Sequence, residues 1–409
     1  MLKNYFKIAI AVLKRRKFFT FISLFVISFT LAVLMVLTAL IDKIFSDDYP
    51  DKKRDRCLYI TNLQEKGLKT GFTSSSPLSF YFLNKYAASL KTPVKVAISS
   101  TYSPTNTYVN NKKIVINYKY TNEAYWEVMD YEFLEGKPYS PEQVKRGERV
   151  TVISEDTKKK YFGDIPSAVG KYIEADNVQY RVSGVVKNVP ITTYTLYSDI
   201  YLPYTVSKSD VNEKSYHGPY TAVLLAGSKV DLPKIREEYE QVIRRVPMNS
   251  DEYDVMYSHA DSYIKGYLRT GDEEESGLRI AVTGLTVFVL LFMLLPTLNL
   301  VNINITRIME RSSEIGVRKA FGASSRALVY QFLVENIILT TIGGLIGVIL
   351  SYAALRLIND ARLIPNLDLS LNFMVLFYGL LACVCFGLLS GVYPAWRMSR
   401  LHVVSALKA

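Results

Sequence analysis

The stretch ERSSEIGVRKAFGA, Glu310 to Ala323, is a short charged segment set between two long apolar runs, and what flanks it decides the fold. Inside the segment the residues specify both ends of a small helix. Ser312 or Ser313 fits the N-cap, Glu314 falls in the first turn, Arg318 and Lys319 in the last, and Gly322 sits where a left-handed C-terminal residue is wanted. Ser324 or Ser325 then fits the cap of the next helix. A helix of about two turns is marginal alone. The spacing therefore predicts a helix from Glu314 to Phe321 that is presented to a soluble partner.

Outward from this segment, four runs carry no charged residue: Phe18 to Ile41, Ile280 to Ile305, Asn336 to Leu355 and Leu369 to Trp396. Each reaches the roughly 20 residues that a helix needs to cross a hydrocarbon core. The first is longer than a signal-peptide core and lacks a small-residue cleavage site, so it reads as an uncleaved anchor. The tail before Phe18, the segment 306–335 and the tail after Trp396 together hold 14 basic and 3 acidic residues, which accounts for the whole net charge of +11. The positive-inside rule then places both termini and the charged segment in the cytoplasm. The basic pI reports topology and contact with anionic lipid, with no call for nucleic acid.

Between the first two runs lies a block rich in tyrosine, holding 25 of the 30 in the chain. It is long enough for a folded domain with its own core. Leu58 and Ile60, Val94 to Ile98, and Ala222 to Ala226 read as strands. Ser76-Pro77 reads as a helix start leading through Phe80, Leu83, Ala87 and Leu90, and Asp231-Leu232-Pro233 as a second. Strand-helix-strand thus occurs near both ends of the block, as an apparent duplicated unit split by a long insertion. In the insertion, Asn110-Asn111 marks a tight hairpin, Val150 to Ser154 a strand leading into a capped helix at Glu155 to Tyr161, and Tyr172 to Val186 a second hairpin. The tyrosines suit a half-buried sheet; a ligand or partner surface is the other reading. Asp272 to Glu275 favours the N-terminus of a helix that continues inward as the second run.

Small residues recur at helical spacing in the later runs, at Gly343, Gly347 and Ser351 and again at Gly387 and Gly391. They allow close helix approach, within one subunit or between two. Pro296 with Asn299, Asn302 and Asn304 points either to a kink or to polar contacts between helices. Glu335 precedes 20 uncharged residues and reads as an interfacial carboxylate, with a functional carboxylate inside the membrane as the alternative. Cys57 stands alone outside the runs, Cys383 and Cys385 face different ways on a helix, and His217, His259 and His402 form no local metal motif. No phosphate loop, zinc-protease, nucleophile-elbow or dinucleotide pattern occurs. The expectation is a chain without catalytic residues, metal or cofactor.

The residues Arg307 through Gly347, with Glu310-Arg311, Glu314-Ile315-Gly316-Val317-Arg318-Lys319, Gly322-Ala323, Gln331-Phe332, Glu335 and Gly343-Gly344, resemble the core of MacB/FtsX-like ABC transporter permeases. Tyr393 to Arg397 and Ala406-Leu407 are similar to that family's C-terminal signature, although Val403 stands where a proline is common. Val150 to Ser154, Tyr161 to Gly163, Gly170-Lys171 and Val182 to Val186 resemble its periplasmic core domain. The resemblance implies an α-helical membrane protein with four transmembrane helices and a large α+β extracytoplasmic domain inserted between helices 1 and 2. On that plan, 1–17 is a basic cytoplasmic segment, 18–41, 277–305, 328–355 and 371–396 are the spans, and 356–370 is an external loop. Residues 42–276 form the outer domain, 306–327 the coupling loop and 397–409 the cytoplasmic tail. The outer domain divides into a split α/β part, about 50–100 and 221–265, and a β-rich insertion, about 101–220.

The resemblance further implies a cytoplasmic ATPase as partner, docked through Glu310, Arg311, Glu314, Ile315, Arg318, Lys319, Phe321 and Gly322, and a second permease subunit. With 17 residues before the first span and no phosphate loop, ATP is expected on a separate subunit. The expected role is efflux or extraction by mechanotransmission in the cell inner membrane, with a periplasmic adaptor and an outer-membrane channel as further partners. Control of an extracytoplasmic cell-wall enzyme and a membrane receptor for an external ligand are the alternative readings.

Overall fold

The computed structural model describes residues 10–399 apart from 12–13, 16, 47–48, 110–111, 194, 270–276, 311–316, 318–320, 322–323 and 363–365. Among the described residues six helices of eight or more residues follow one another: α1 (Lys17–Phe45), α2 (Glu155–Phe162), α3 (Leu232–Ile243), α4 (Leu278–Glu310), α5 (Ser325–Asp360) and α6 (Phe373–Ser399). Contacts divide the chain into a helical unit built from α1, α4, α5 and α6 and an α+β unit, Ile44–Val282 with Ile364–Leu367.

In the helical unit the first three apolar runs are helical throughout, and the fourth is helical from Phe373 onward, with 369–372 non-helical ahead of α6. Three stretches are long and apolar enough to cross a membrane, Lys17–Phe45, Val329–Asp360 and Phe373–Val392, and Leu278–Leu294 within α4 is a shorter apolar helix. Helix α1 contributes the centre of the packing: Ile27 joins Leu300 of α4 and Leu339 of α5, while Leu31, Leu34 and Met35 join Met293 of α4 and Cys383 of α6. Asn372 caps α6, its Oδ1 accepting from the amides of Met374 and Val375, and so satisfies donors that a helix start leaves open.

The α+β unit is organised by thirteen described strands: β1 (Cys57–Ile60), β2 (Leu63–Lys66), β3 (Thr73–Ser76), β4 (Lys95–Ser100), β5 (Ser103–Val109), β6 (Lys112–Thr121), β7 (Phe133–Gly136), β8 (Val150–Ser154), β9 (Tyr172–Ala175), β10 (Val178–Val186), β11 (Ile200–Pro203), β12 (Tyr220–Leu225) and β13 (Val255–Ser258). Ten of them make one sheet in the order β1-β12-β4-β6-β11-β8-β10-β7, with β5 on β6 and β9 on β10. Strand β12 lies antiparallel between β1 and β4, so the two ends of the block meet in one sheet. The insertion continues that sheet through a single β4–β6 pairing, Ser99 with Thr121. Strands β2, β3 and β13 form a separate small sheet.

The expected helices appear with one shift. Ser154 caps α2, its Oγ accepting from Thr157 N at 3.2 Å, a contact worth about 1 kcal/mol. The expected start at Ser76-Pro77 is displaced to Ser79, whose Oγ accepts from Phe82 N at 3.0 Å. Ser76 ends β3, and Leu78 exchanges backbone hydrogen bonds with Tyr220, which holds 77–78 extended and delays the helix. The duplication is also incomplete, since β13 pairs with β2 and stays out of the large sheet. The turn at Asn110-Asn111 lies outside the described residues, although β5 and β6 pair as a hairpin on either side of it.

Candidate coupling site and helix interfaces

The helical unit gathers polar side chains at the end where α4 finishes and α5 begins. Asn304 of α4 donates from Nδ2 to Asn336 Oδ1 of α5 at 3.1 Å and to the Ser390 carbonyl of α6 at 3.4 Å. Thr340 Oγ1 donates to the Asn336 carbonyl and Ser390 Oγ to the Gly387 carbonyl, both at 2.8 Å. All four side chains are buried. One amide thus ties three helices by neutral hydrogen bonds, of the kind that holds helices together where no hydrophobic drive exists. Asn304 belongs to the polar cluster that the sequence left open between a kink and interhelical contacts, and it makes the contacts. Glu335, read as a carboxylate at the membrane interface, is 2% exposed beside Asn336.

The glycine pattern is read most directly from what a side chain would meet. A Cβ on Gly343 would lie 2.8 Å from Ile27, and one on Gly347 2.9 Å from Leu31 and 3.1 Å from the Ser28 carbonyl. On α6, Gly387 would meet Thr340 Oγ1 at 2.2 Å and Gly391 would meet Asn336 Nδ2 at 2.7 Å. The first pair brings α5 onto α1, and the second brings α6 onto α5 against the polar cluster. All these neighbours belong to the same chain.

Of the residues expected to dock a partner, Arg311, Glu314, Ile315, Arg318, Lys319 and Gly322 lie outside the described residues. Glu310 is the exposed last residue of α4. Val317 is helical and exposed, and Phe321 N donates to the Val317 carbonyl at 3.0 Å, one helical turn. The Phe321 side chain is 88% exposed. Val317 and Phe321 thus form an exposed apolar pair one helical turn apart.

The α+β unit holds no group of three or more His, Cys, Asp or Glu among the described residues that would bind a metal. Cys57 is buried, which pushes its thiol up to about 12, so it is inert. Sequence reading passed over Lys119, which β6 turns to the face opposite Tyr118 and Tyr120. It is fully buried, its Nζ donates to the Thr195 carbonyl, and burial lowers its pKa to about 7. The strand alternation around it was the signal that a lysine points inward. Asp51 and Arg54 form a second buried charge site, with Nε to Oδ2 at 2.8 Å.

A model of the MacB-like periplasmic core domain matches residues 20–242, and one of the FtsX-like permease C-terminal domain matches 286–403. The chain is 26% identical over 289 residues to macrolide export ATP-binding/permease protein MacB 1 of Yersinia pestis bv. Antiqua (strain Antiqua), covering 70% of this chain and 42% of that protein. It is 25% identical over 288 residues to the ABC transporter permease YknZ of Bacillus subtilis (strain 168), covering 70% and 68%. The crystal structure of the periplasmic region of MacB from Actinobacillus actinomycetemcomitans aligns at 18% identity and a TM-score of 0.38, over 53% of this chain and 94% of that one. With the first model spanning more than half of the sequence and the second most of the remainder, the chain belongs to the MacB/FtsX-like ABC transporter permease family.

Proposed function

We propose that the chain is the permease subunit of an ABC transporter that couples ATP hydrolysis in a cytoplasmic partner to movement of its α+β unit. On this reading it crosses the inner membrane four times, with both termini and the 306–327 loop in the cytoplasm. The second of these spans is α4, a continuous helix over all 26 residues of the uncharged run from Ile280 to Ile305. At 1.5 Å per residue its 33 residues extend about 50 Å, well beyond a hydrocarbon core of about 30 Å. A rod of that length carries displacement from one side to the other.

The observation that carries the proposal is the Asn304–Asn336–Ser390 tie, placed where the 311–324 segment joins α4 to α5. A force on that segment reaches three helices together, and exposed Phe321 is available to receive it. The names of the Yersinia and Bacillus relatives support a transporter. The sequence has no phosphate loop, so ATP binding is assigned to a partner. A second permease subunit completes the complex, and the task is efflux or extraction of a substrate.

The test is reconstitution. The purified chain alone should hydrolyse no ATP. Joined with the ATPase that co-purifies with it, the wild type should change that enzyme's hydrolysis rate, whereas Glu314→Arg, Arg318→Glu and Phe321→Ala should each weaken the effect. If all three leave complex formation and hydrolysis as in the wild type, the segment is a basic membrane-edge loop and the proposal fails.

A further inference from the structure

The two connectors of the α+β unit, which follow α1 up to Arg54 and run over 259–269 ahead of α4, are interlocked around a buried charge site. Arg54 donates from Nη1 to the Ser46 carbonyl, one residue past the end of α1. Its Nε donates to Asp51 Oδ2, and its guanidinium lies over the Tyr263 ring at 3.7 Å from the centroid. Asp51 also accepts from Tyr59 Oη at 2.6 Å. Tyr59 belongs to β1, and its backbone exchanges two hydrogen bonds with Asp261, at 2.7 and 3.0 Å. The Asp261 carboxylate in turn holds Arg269 Nε at 2.5 Å. An aromatic chain runs alongside: Phe45 touches Tyr267, Tyr267 stacks on Tyr263, and Tyr263 meets Tyr59 edge to face.

We infer that this Asp51–Arg54–Tyr263 knot is the positioning element through which α1 and α4 move the sheet of the α+β unit as one body. The inference rests on the transport reading above. Its physical warrant is that a displacement of one connector against the other would pull the Arg54 guanidinium off the Tyr263 face and part the Tyr59–Asp261 backbone pair, so that a desolvated cation–π contact and two backbone hydrogen bonds are lost together. Neither connector can then slip without the other. The knot ends on Tyr59, in the edge strand of the ten-stranded sheet, so the motion enters the sheet at β1.

The experiment uses the full chain in complex with its ATPase in lipid, and reads amide hydrogen exchange in β1 and β12 with and without ATP. Tyr263→Leu removes the ring beneath the guanidinium while leaving the Asp51–Arg54 pair in place, and Tyr263→Phe keeps the ring. Tyr267→Ala cuts the contact to Phe45 at a half-exposed position and guards against Tyr263→Leu failing to fold. The wild type and Tyr263→Phe should show an ATP-dependent exchange change, and Tyr263→Leu and Tyr267→Ala should lose it with complex formation and the effect on ATP hydrolysis retained. A full exchange response in Tyr267→Ala, or in a folded Tyr263→Leu, overturns the knot. Loss of the response in a folded Tyr263→Phe also overturns it, because ring stacking would then not be what transmits. A wild type that leaves its ATPase unaffected contradicts the transport reading itself, which separates the two failures.

Discussion

Asn304 and Asn336 meet in the helical unit at 3.1 Å, and Arg54 and Asp51 meet in the α+β unit at 2.8 Å. Both contacts are buried, yet one is a neutral amide pair and the other a full ion pair. Neutral polar contacts between membrane helices average only about 0.6 kcal/mol, because separated helices find other partners. Removing one member of a buried ion pair costs roughly 3–5 kcal/mol, because the other is left as an uncompensated charge. The helical unit is therefore fastened by contacts that can be exchanged, and the α+β unit by contacts that cannot. That division suits a machine in which helices shift and the domain they carry moves without deforming.

Substitutions can break this contrast, and the largest effect is expected at Arg54. Arg54→Met removes the guanidinium from the buried Asp51 carboxylate and should cost the α+β unit on the order of 3 kcal/mol, read as a lower melting temperature of the full chain. A loss near zero would show that the ion pair fastens nothing. Gly387→Ile comes next, because a Cβ there already meets Thr340 Oγ1 at 2.2 Å. Overpacking of this kind costs about 3 kcal/mol and should appear as loss of a monodisperse detergent-extracted chain, with Gly347→Ile acting the same way through Leu31.

Lys119→Met should have the opposite sign. The folded pKa of Lys119 is lowered to about 7, so between pH 7 and the unfolded value the unfolded chain holds more protons and stability rises with pH. Below about 7 the buried charge penalty is fully present. Removing it should stabilise the unit at pH 7 by roughly 2 kcal/mol after allowing for the lost hydrogen bond, and should flatten the rise in stability between pH 7 and 9. Buried tyrosines such as Tyr125 and Tyr201, whose pKa values are raised by burial, pull the other way only above about pH 10. An unchanged pH slope in Lys119→Met would mean that the lysine is solvated. The smallest effect belongs to Asn304→Ala, about 0.6 kcal/mol, visible as a slight loss of thermal stability; a loss as large as that of Arg54→Met would erase the contrast.

The helices were legible because an uncharged run of 20 or more residues has few other fates. Strands β1, β4, β8, β10 and β12 were legible from alternation or unbroken apolar runs, and α2 and α3 from Ser154 and from Leu232-Pro233. What escaped was decided by partners distant in sequence. The helix expected at Ser76 starts at Ser79 because Leu78 is claimed by Tyr220. The burial of Glu335, 2% exposed, was likewise invisible in a sequence where it stands one step before an uncharged run. Asp51 and Arg54 sit in the run DKKRDR, Asp51 to Arg56, which reads as an ordinary solvated turn. Only the approach of Tyr263, more than 200 residues later, turns two of those six charges inward.

The central claim is that force applied at the 310–322 segment reaches the α+β unit. Amide hydrogen exchange over β1 and β12 in the ATPase-bound chain, with and without ATP, measures this in one preparation for the wild type and for Phe321→Ala. ATP should change exchange in the wild-type sheet, and Phe321→Ala should abolish that change while the α+β unit keeps its melting temperature. Sheet exchange that ignores ATP in the wild type while ATP is being hydrolysed, or that responds equally in Phe321→Ala, would contradict it.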